Sequence, residues 1–236
     1  MFKTGNNFAD FFCLTIIIFP LIPVILISFQ KNYGKGIFNF LLIICLLGFL
    51  KGLAPITKTL PPDNQSMITN ICSLLEMILL IQIFKTSLSG KTKDVLNITI
   101  IAFLSVYITY FSIKGWSVTS KEFEVIQSYI IMAAIIVSLP PLIRTTNLGV
   151  FESPLFWITG GTLVYTFLYL LLEWVDSSSG SVSRGLQTEK NMFLSIAALI
   201  RYSLYILAVL LARRQDKTEK EATIKNSSQG HPRLPE

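Results

Sequence analysis

Apolar and polar positions alternate along this chain in long blocks. Seven stretches are apolar for about the ~20 residues an α-helix needs to cross a bilayer: Phe8 to Phe29, then near Ile37–Ala54, Met67–Phe84, Val95–Ile113, Val125–Ile143, Pro154–Val175 and Met192–Ala212. Polar turn signals separate them, such as Pro61-Pro62-Asp63-Asn64 and the serine- and glycine-rich run from Asp176 to Glu189, which reads as a mobile loop. The pattern predicts an all-α polytopic membrane protein, a seven-transmembrane-helix bundle over residues 1–214, followed by a disordered cytosolic tail over 215–236. Pro20 and Pro23 predict a kink or unwound point in the first span, and Pro140-Pro141 predict a stop or bend at the end of the fifth.

Within those blocks a few polar residues break the pattern. Arg201 lies near the middle of the last span, where a charge costs ~2.5–3.5 kcal/mol on insertion scales, so it should face protein or water. Ala197, Ala198, Tyr205 and Ala208 share its face and would let helices approach closely. Glu76 lies at similar depth in the third span, on a face with Thr69, Cys72 and Ser73. At ~4 Å and an effective dielectric of ~20, their attraction would be on the order of 4 kcal/mol, which predicts an intramembrane Glu76/Arg201 ion pair. Thr159, Thr162, Thr166, Tyr169 and Glu173 fall in one narrow sector of the sixth helix and are candidates to line a cavity. Gly160-Gly161 on that helix would allow a close helix contact or a soft point, and Trp157 and Trp174 near its ends read as interface anchors. Ser105, Thr109 and Ser112 form a shorter polar face on the fourth.

Composition agrees with a membrane location: 52% of residues are hydrophobic and 14% charged, against about 25% charged in ordinary soluble domains. The net charge of +6 does not point to nucleic acid, because the basic residues are scattered over span ends and the tail, where membrane topology accounts for them. Lys31, Lys35, Lys85, Lys91, Lys93, Arg144, Arg213, Arg214 and Lys217 fall on one side. Lys3, Lys51, Lys58, Lys114, Lys121, Arg184 and Lys190 fall on the other. The excess predicts the N-terminus outside and the C-terminus in the cytosol, in the inner (plasma) membrane. Cys13, Cys45 and Cys72 all sit in apolar segments and offer neither a CxxC metal pair nor a disulfide framework.

Several chemistries lack their parts. The only histidine, His231, is in the tail, so the spans hold neither a Ser-His-Asp triad nor a histidine metal site. The last span has no central lysine for a retinal Schiff base, and no span carries a deep aspartate for an aspartyl dyad. The reading is therefore of a non-enzyme without cofactor or metal.

The run Ser153-Pro154-Leu155-Phe156-Trp157-Ile158-Thr159-Gly160, followed by Tyr165, resembles the PxFW signature, with its downstream Gly and Tyr, of small heptahelical membrane proteins abundant in Bacteroidetes bacteria. Glu76 and Arg201-Tyr202 fit that pattern as well. The resemblance implies a bacterial, receptor-like signalling role as a companion of sensor histidine kinases, and it supplies no catalytic or ligand residues.

Three functions remain. The first is a membrane sensor or signalling accessory that responds to an outer-facing or lipid-borne cue and acts through a cytosolic or membrane partner, such as a sensor histidine kinase. The second is a small transporter or permease built on the Glu/Arg core. The third is a non-catalytic scaffold subunit, whose immediate surroundings, like those of the other two, are the lipid bilayer.

Overall fold

The computed structural model describes residues 15–29, 36–54, 60–118, 121–145, 149–178 and 184–229. Among them the chain forms α1 (Leu21–Ser28), α2 (Gly36–Leu53), α3 (Pro62–Lys85), α4 (Lys91–Lys114) and α5 (Lys121–Thr145). A single 3-10 turn (Val150–Glu152) then leads into α6 (Pro154–Ser178) and α7 (Arg184–Gln229). Helices α2 to α7 each contain a segment long and apolar enough to cross a membrane, and a shorter apolar helical stretch covers Thr15–Ser28. The protein is a multi-pass, all-α membrane bundle. The expected first span is seen only from Thr15 onward; Asp10 and Cys13 lie outside the described residues, as do Lys3, Lys31, Lys35, Lys58 and His231.

The prolines act differently at the two ends of the fold. In the first stretch the helix gives way to a turn at Phe19-Pro20 before α1 begins, as expected where a ring replaces a backbone donor. In α5, where the sequence predicts a stop or a bend, the helix does not stop but runs through Pro140 and Pro141 to Thr145. The missing donors, which would serve the Ile136 and Val137 carbonyls, fall in the last turns, where few residues remain to be destabilised.

Hydrogen bonds fix the up-and-down order of the bundle. The Asn70 side-chain amide on α3 donates to the carbonyls of Trp116 and Val118 at 3.0 Å, which pins the α4–α5 turn beside α3. The Gln215 amide on α7 donates to the Glu152 carbonyl at 2.8 Å, so α7 passes the turn that leads into α6. Leu41, Ile44, Met77, Ile81, Ile135 and Ile158 are fully buried between the helices. Helix α4 buries Phe103, Tyr107 and Phe111 against Phe123 and Trp116, and turns Val95, Ile98, Ile101 and Val106 outward. An apolar outer face is what hydrocarbon requires of a spanning helix.

Two boundaries depart from the sequence reading. Helix α6 extends to Ser178 and α7 starts at Arg184, so the expected loop from Asp176 to Glu189 is largely helical at both ends. At the other end α7 continues to Gln229, and residues 215–229 are helix where the sequence suggested a disordered tail. That segment, QDKTEKEATIKNSSQ, is rich in Lys, Glu and Gln, all good helix formers, and Lys217 approaches Glu221 at 3.9 Å in an i,i+4 pair. Low hydropathy marks a segment that leaves the membrane, and such a segment can still be helical.

A charged core between two cavities

Arg201 on α7 and Glu76 on α3 meet in the middle of the bundle, the guanidinium Nη2 against the carboxylate Oε1, with side chains 5% and 13% exposed. The Arg201 Nε donates to the Tyr205 hydroxyl at 2.8 Å, and that hydroxyl lies 2.8 Å from Thr162 Oγ1 on α6. Thr162 spends its single proton on the Ile158 carbonyl at 2.9 Å, so Tyr205 is the donor between the two hydroxyls. The chain of donation runs from Arg201 through Tyr205 and Thr162 and ends on backbone. The rings of Tyr165, Tyr202 and Tyr205 surround the guanidinium carbon with centroids 5.1, 5.7 and 5.3 Å away, within cation–π range.

Small residues make this packing possible. A Cβ on Gly161 of α6 would lie 3.0 Å from the Arg201 carbonyl oxygen, so the backbones of α6 and α7 touch at the level of the charge. Of the Gly160-Gly161 pair, Gly161 makes the close helix contact, while a Cβ on Gly160 would meet nothing within 4 Å. On α2, a Cβ on Gly48 would lie 2.1 Å from the Tyr202 hydroxyl, so the tip of that tyrosine occupies the space a side chain would need. Ala197 and Ala208, on the Arg201 face, are fully buried.

Two cavities flank the pair. One, of about 60 Å³, is bordered by Ser73, Glu124, Gln127, Ser128, Thr166 and Tyr169 among others. The second, of about 170 Å³, lies against Ile16, Ile17, Pro20, Gly48 and Gly52, where the break before α1 meets the glycine face of α2. Lys51, Glu76, Tyr165 and Arg201 border both. The Lys51 ammonium donates to Ser73 Oγ at 2.7 Å, and the Tyr169 hydroxyl donates to Glu124 Oε2 at 3.0 Å. Two cations and two carboxylates thus occupy one polar core.

The predicted stripe on α6 divides. Thr162, Thr166 and Tyr169 border the smaller cavity. Thr159 is buried and donates to its own helix at the Leu155 carbonyl, 2.7 Å away, so it does not line the cavity. Glu173 lies beyond the cavity and accepts from Lys190 at 2.6 Å, with Asp176 on the same ammonium at 3.0 Å. A sector shared by five residues over 14 positions extends about 21 Å along the axis, longer than the cavity, and threonines satisfy themselves on the preceding turn. Trp174 is 69% exposed near the end of α6, and Trp157 donates its indole N–H to the Phe151 carbonyl at 2.7 Å.

Lys51, Glu124 and Gln127 are core residues that the hydrophobic pattern alone assigns to helix ends. Lys51 reads as a basic flank of the second span, yet it follows Gly48 by one helical turn and shares the face on which Tyr202 docks. Glu124 and Gln127 form an i,i+3 pair at the start of α5, a spacing that marks a shared face. Cys45 and Cys72 are buried free thiols, and among the described residues no group of three His, Cys, Asp or Glu side chains is placed to hold a metal. Comparison with protein-family models, curated proteins and solved structures finds no match to this chain.

Proposed function

We propose that this protein is a non-enzymatic membrane sensor or signalling accessory, with its N-terminus outside and its C-terminus in the cytosol of a bacterial plasma membrane. The observation that carries this reading is the continuity of α7: one 46-residue helix holds Arg201 in the charged core and runs on to Gln229. At ~1.5 Å per residue it is about 69 Å long, against ~30 Å of hydrocarbon. A rearrangement around Arg201 would move the far end of the same rigid element, as the 1–2 Å helix shifts of known switches do. A stimulus acts by favouring one of two packings of that core over the other.

The orientation rests on charge. Lys85, Lys91, Lys93, Arg144, Arg213 and Arg214 collect at one end of the bundle, which the positive-inside rule assigns to the cytosol. The opposite end is less basic than its residue count suggests, because Lys51 turns into the core. The polar extension of α7 then offers a partner, such as a sensor histidine kinase, the exposed side chains of Lys217, Thr218 and Glu221. Photocrosslinkers at Lys217 and Glu221 in native membranes test this: a histidine kinase or other signalling protein should be captured at one or both, and its absence at both would count against the reading.

One observation favours a second reading. The two cavities meet at Lys51, Glu76, Tyr165 and Arg201, an arrangement suited to a small permease in which solute passes between the cavities as the shared wall rearranges. Solute flux in proteoliposomes, with no partner on α7, would support it in place of the sensor.

A further inference from the structure

The four core charges are not equally satisfied. Arg201 and Glu76 close on each other, and Tyr205 takes the Arg201 Nε. Lys51 has three N–H donors; one goes to Ser73, and no carboxylate among the described residues pairs with it. Glu124 accepts from Tyr169 through Oε2 and likewise has no cation partner. Both border the same 60 Å³ cavity without touching each other. Gln127, only 5% exposed, borders it too and makes no side-chain hydrogen bond among the described residues.

A half-buried ammonium and a half-buried carboxylate facing one space complement a molecule that carries the opposite charges in the opposite order. A simple anion would be repelled by Glu124, and a simple amine by Lys51. Lys51 also borders the 170 Å³ cavity, where Ile16, Ile17, Pro20 and Ala198 supply apolar surface beside the polar Glu76, Arg201 and tyrosine groups. That space exceeds the ~150 Å³ engineered cavity that admits benzene, so it has the volume for an aliphatic or aromatic side chain laid against its apolar residues.

We infer that the paired cavities bind a small zwitterionic amino acid with an apolar side chain, its carboxylate on Lys51, its ammonium on Glu124 and its side chain in the larger cavity. The inference rests on the reading of this polar core as the ligand-responsive part of the protein. Gln127 supplies an amide to either charged group, and Tyr165, on the shared wall, orients the ligand between the two spaces.

Calorimetric titration of the full chain in lipid nanodiscs tests it, with L-leucine and L-phenylalanine as probes. Isocaproate, which is leucine without its ammonium, and isoamylamine, which is leucine without its carboxylate, serve as controls. Saturable binding of an amino acid is expected, weakened at least about tenfold for each control, since each leaves one buried charge unpaired. Lys51→Met and Glu124→Gln should each weaken leucine by a similar factor, while Lys51→Arg retains part of the binding. The controls act on the unaltered protein, so a variant that misfolds leaves the test intact. Equal binding of leucine and isocaproate overturns the inference, as does no saturable binding of either amino acid. Absent binding overturns it even where Lys217 crosslinks to a signalling partner, so the two readings fail separately.

Discussion

Helix α7 carries two charged clusters that obey different physics. Arg201 meets Glu76 in mid-bundle inside a cage of three tyrosines. About 16 Å away along the same helix, at ~1.5 Å per residue, Lys190 meets Glu173 and Asp176, with Lys121 3.9 Å from Asp176. The second cluster ties the starts of α5 and α7 to the end of α6, close to the membrane boundary where Lys121 is largely exposed. Lys190, Glu173 and Asp176 are themselves only 10%, 16% and 14% exposed, but one that loses its partner has a short path to the water that Lys121 already reaches. In the middle of the bundle the only alternatives for such a charge are the two cavities and the polar groups around them, which makes the Glu76/Arg201 contact the costlier of the two to break and the Lys190 cluster the looser tie.

The largest effect should follow from leaving one core charge alone. Arg201→Met strands Glu76 and Glu76→Gln strands Arg201, and each should destabilise the protein by about 3–5 kcal/mol in reversible unfolding from mixed micelles. Reversing both, with Glu76→Arg and Arg201→Glu together, should recover part of the loss. Lys190→Met should cost less, about 1.5–3 kcal/mol, the range for hydrogen bonds to charged groups. Salt separates the two clusters further. Near 1 M, where the screening length is ~3 Å, the Lys190 contribution should shrink while that of Arg201 persists. Equal losses with equal salt dependence would show that the two clusters share one environment.

The same distinction explains what was legible in the chain. Glu76 and Arg201 stand out in the sequence because a charge deep in an apolar block has few places to go, and the structure joins them. The helices were legible from block length, and the break near Pro20 from a missing donor. Lys51 was not, since two residues from the end of α2 a lysine fits a flank as well as a core, and only the packing of Tyr202 on Gly48 turns that face inward. Glu173 failed as a cavity residue for the converse reason: its partner, Lys190, sits on another helix and competes for it. The helical end of α7 was hidden because hydropathy reports leaving the membrane and is silent on whether the helix stops.

Hydroxyl groups give the smallest effects and the finest test of the comparison. On α4, Ser105 donates to Ile101 at 2.9 Å and Thr109 to Ser105 at 2.7 Å, both exposed on the lipid side, so this polar face needs no neighbour. Thr162 makes the same kind of bond to Ile158, but its oxygen also receives Tyr205, the residue that holds Arg201. Ser105→Ala should therefore change stability by no more than about 0.5 kcal/mol. Thr162→Val should cost about 1 kcal/mol or more, because it leaves the Tyr205 hydroxyl without an acceptor in a buried site. In an Arg201→Met background that extra cost should fall, since Tyr205 is then no longer held by the guanidinium and can turn toward the cavity. A double-mutant cycle measures the difference directly. Zero coupling between positions 162 and 201 would mean that the chain of hydroxyls is only neighbouring geometry, and that the charge is held by Glu76 and the tyrosine rings alone.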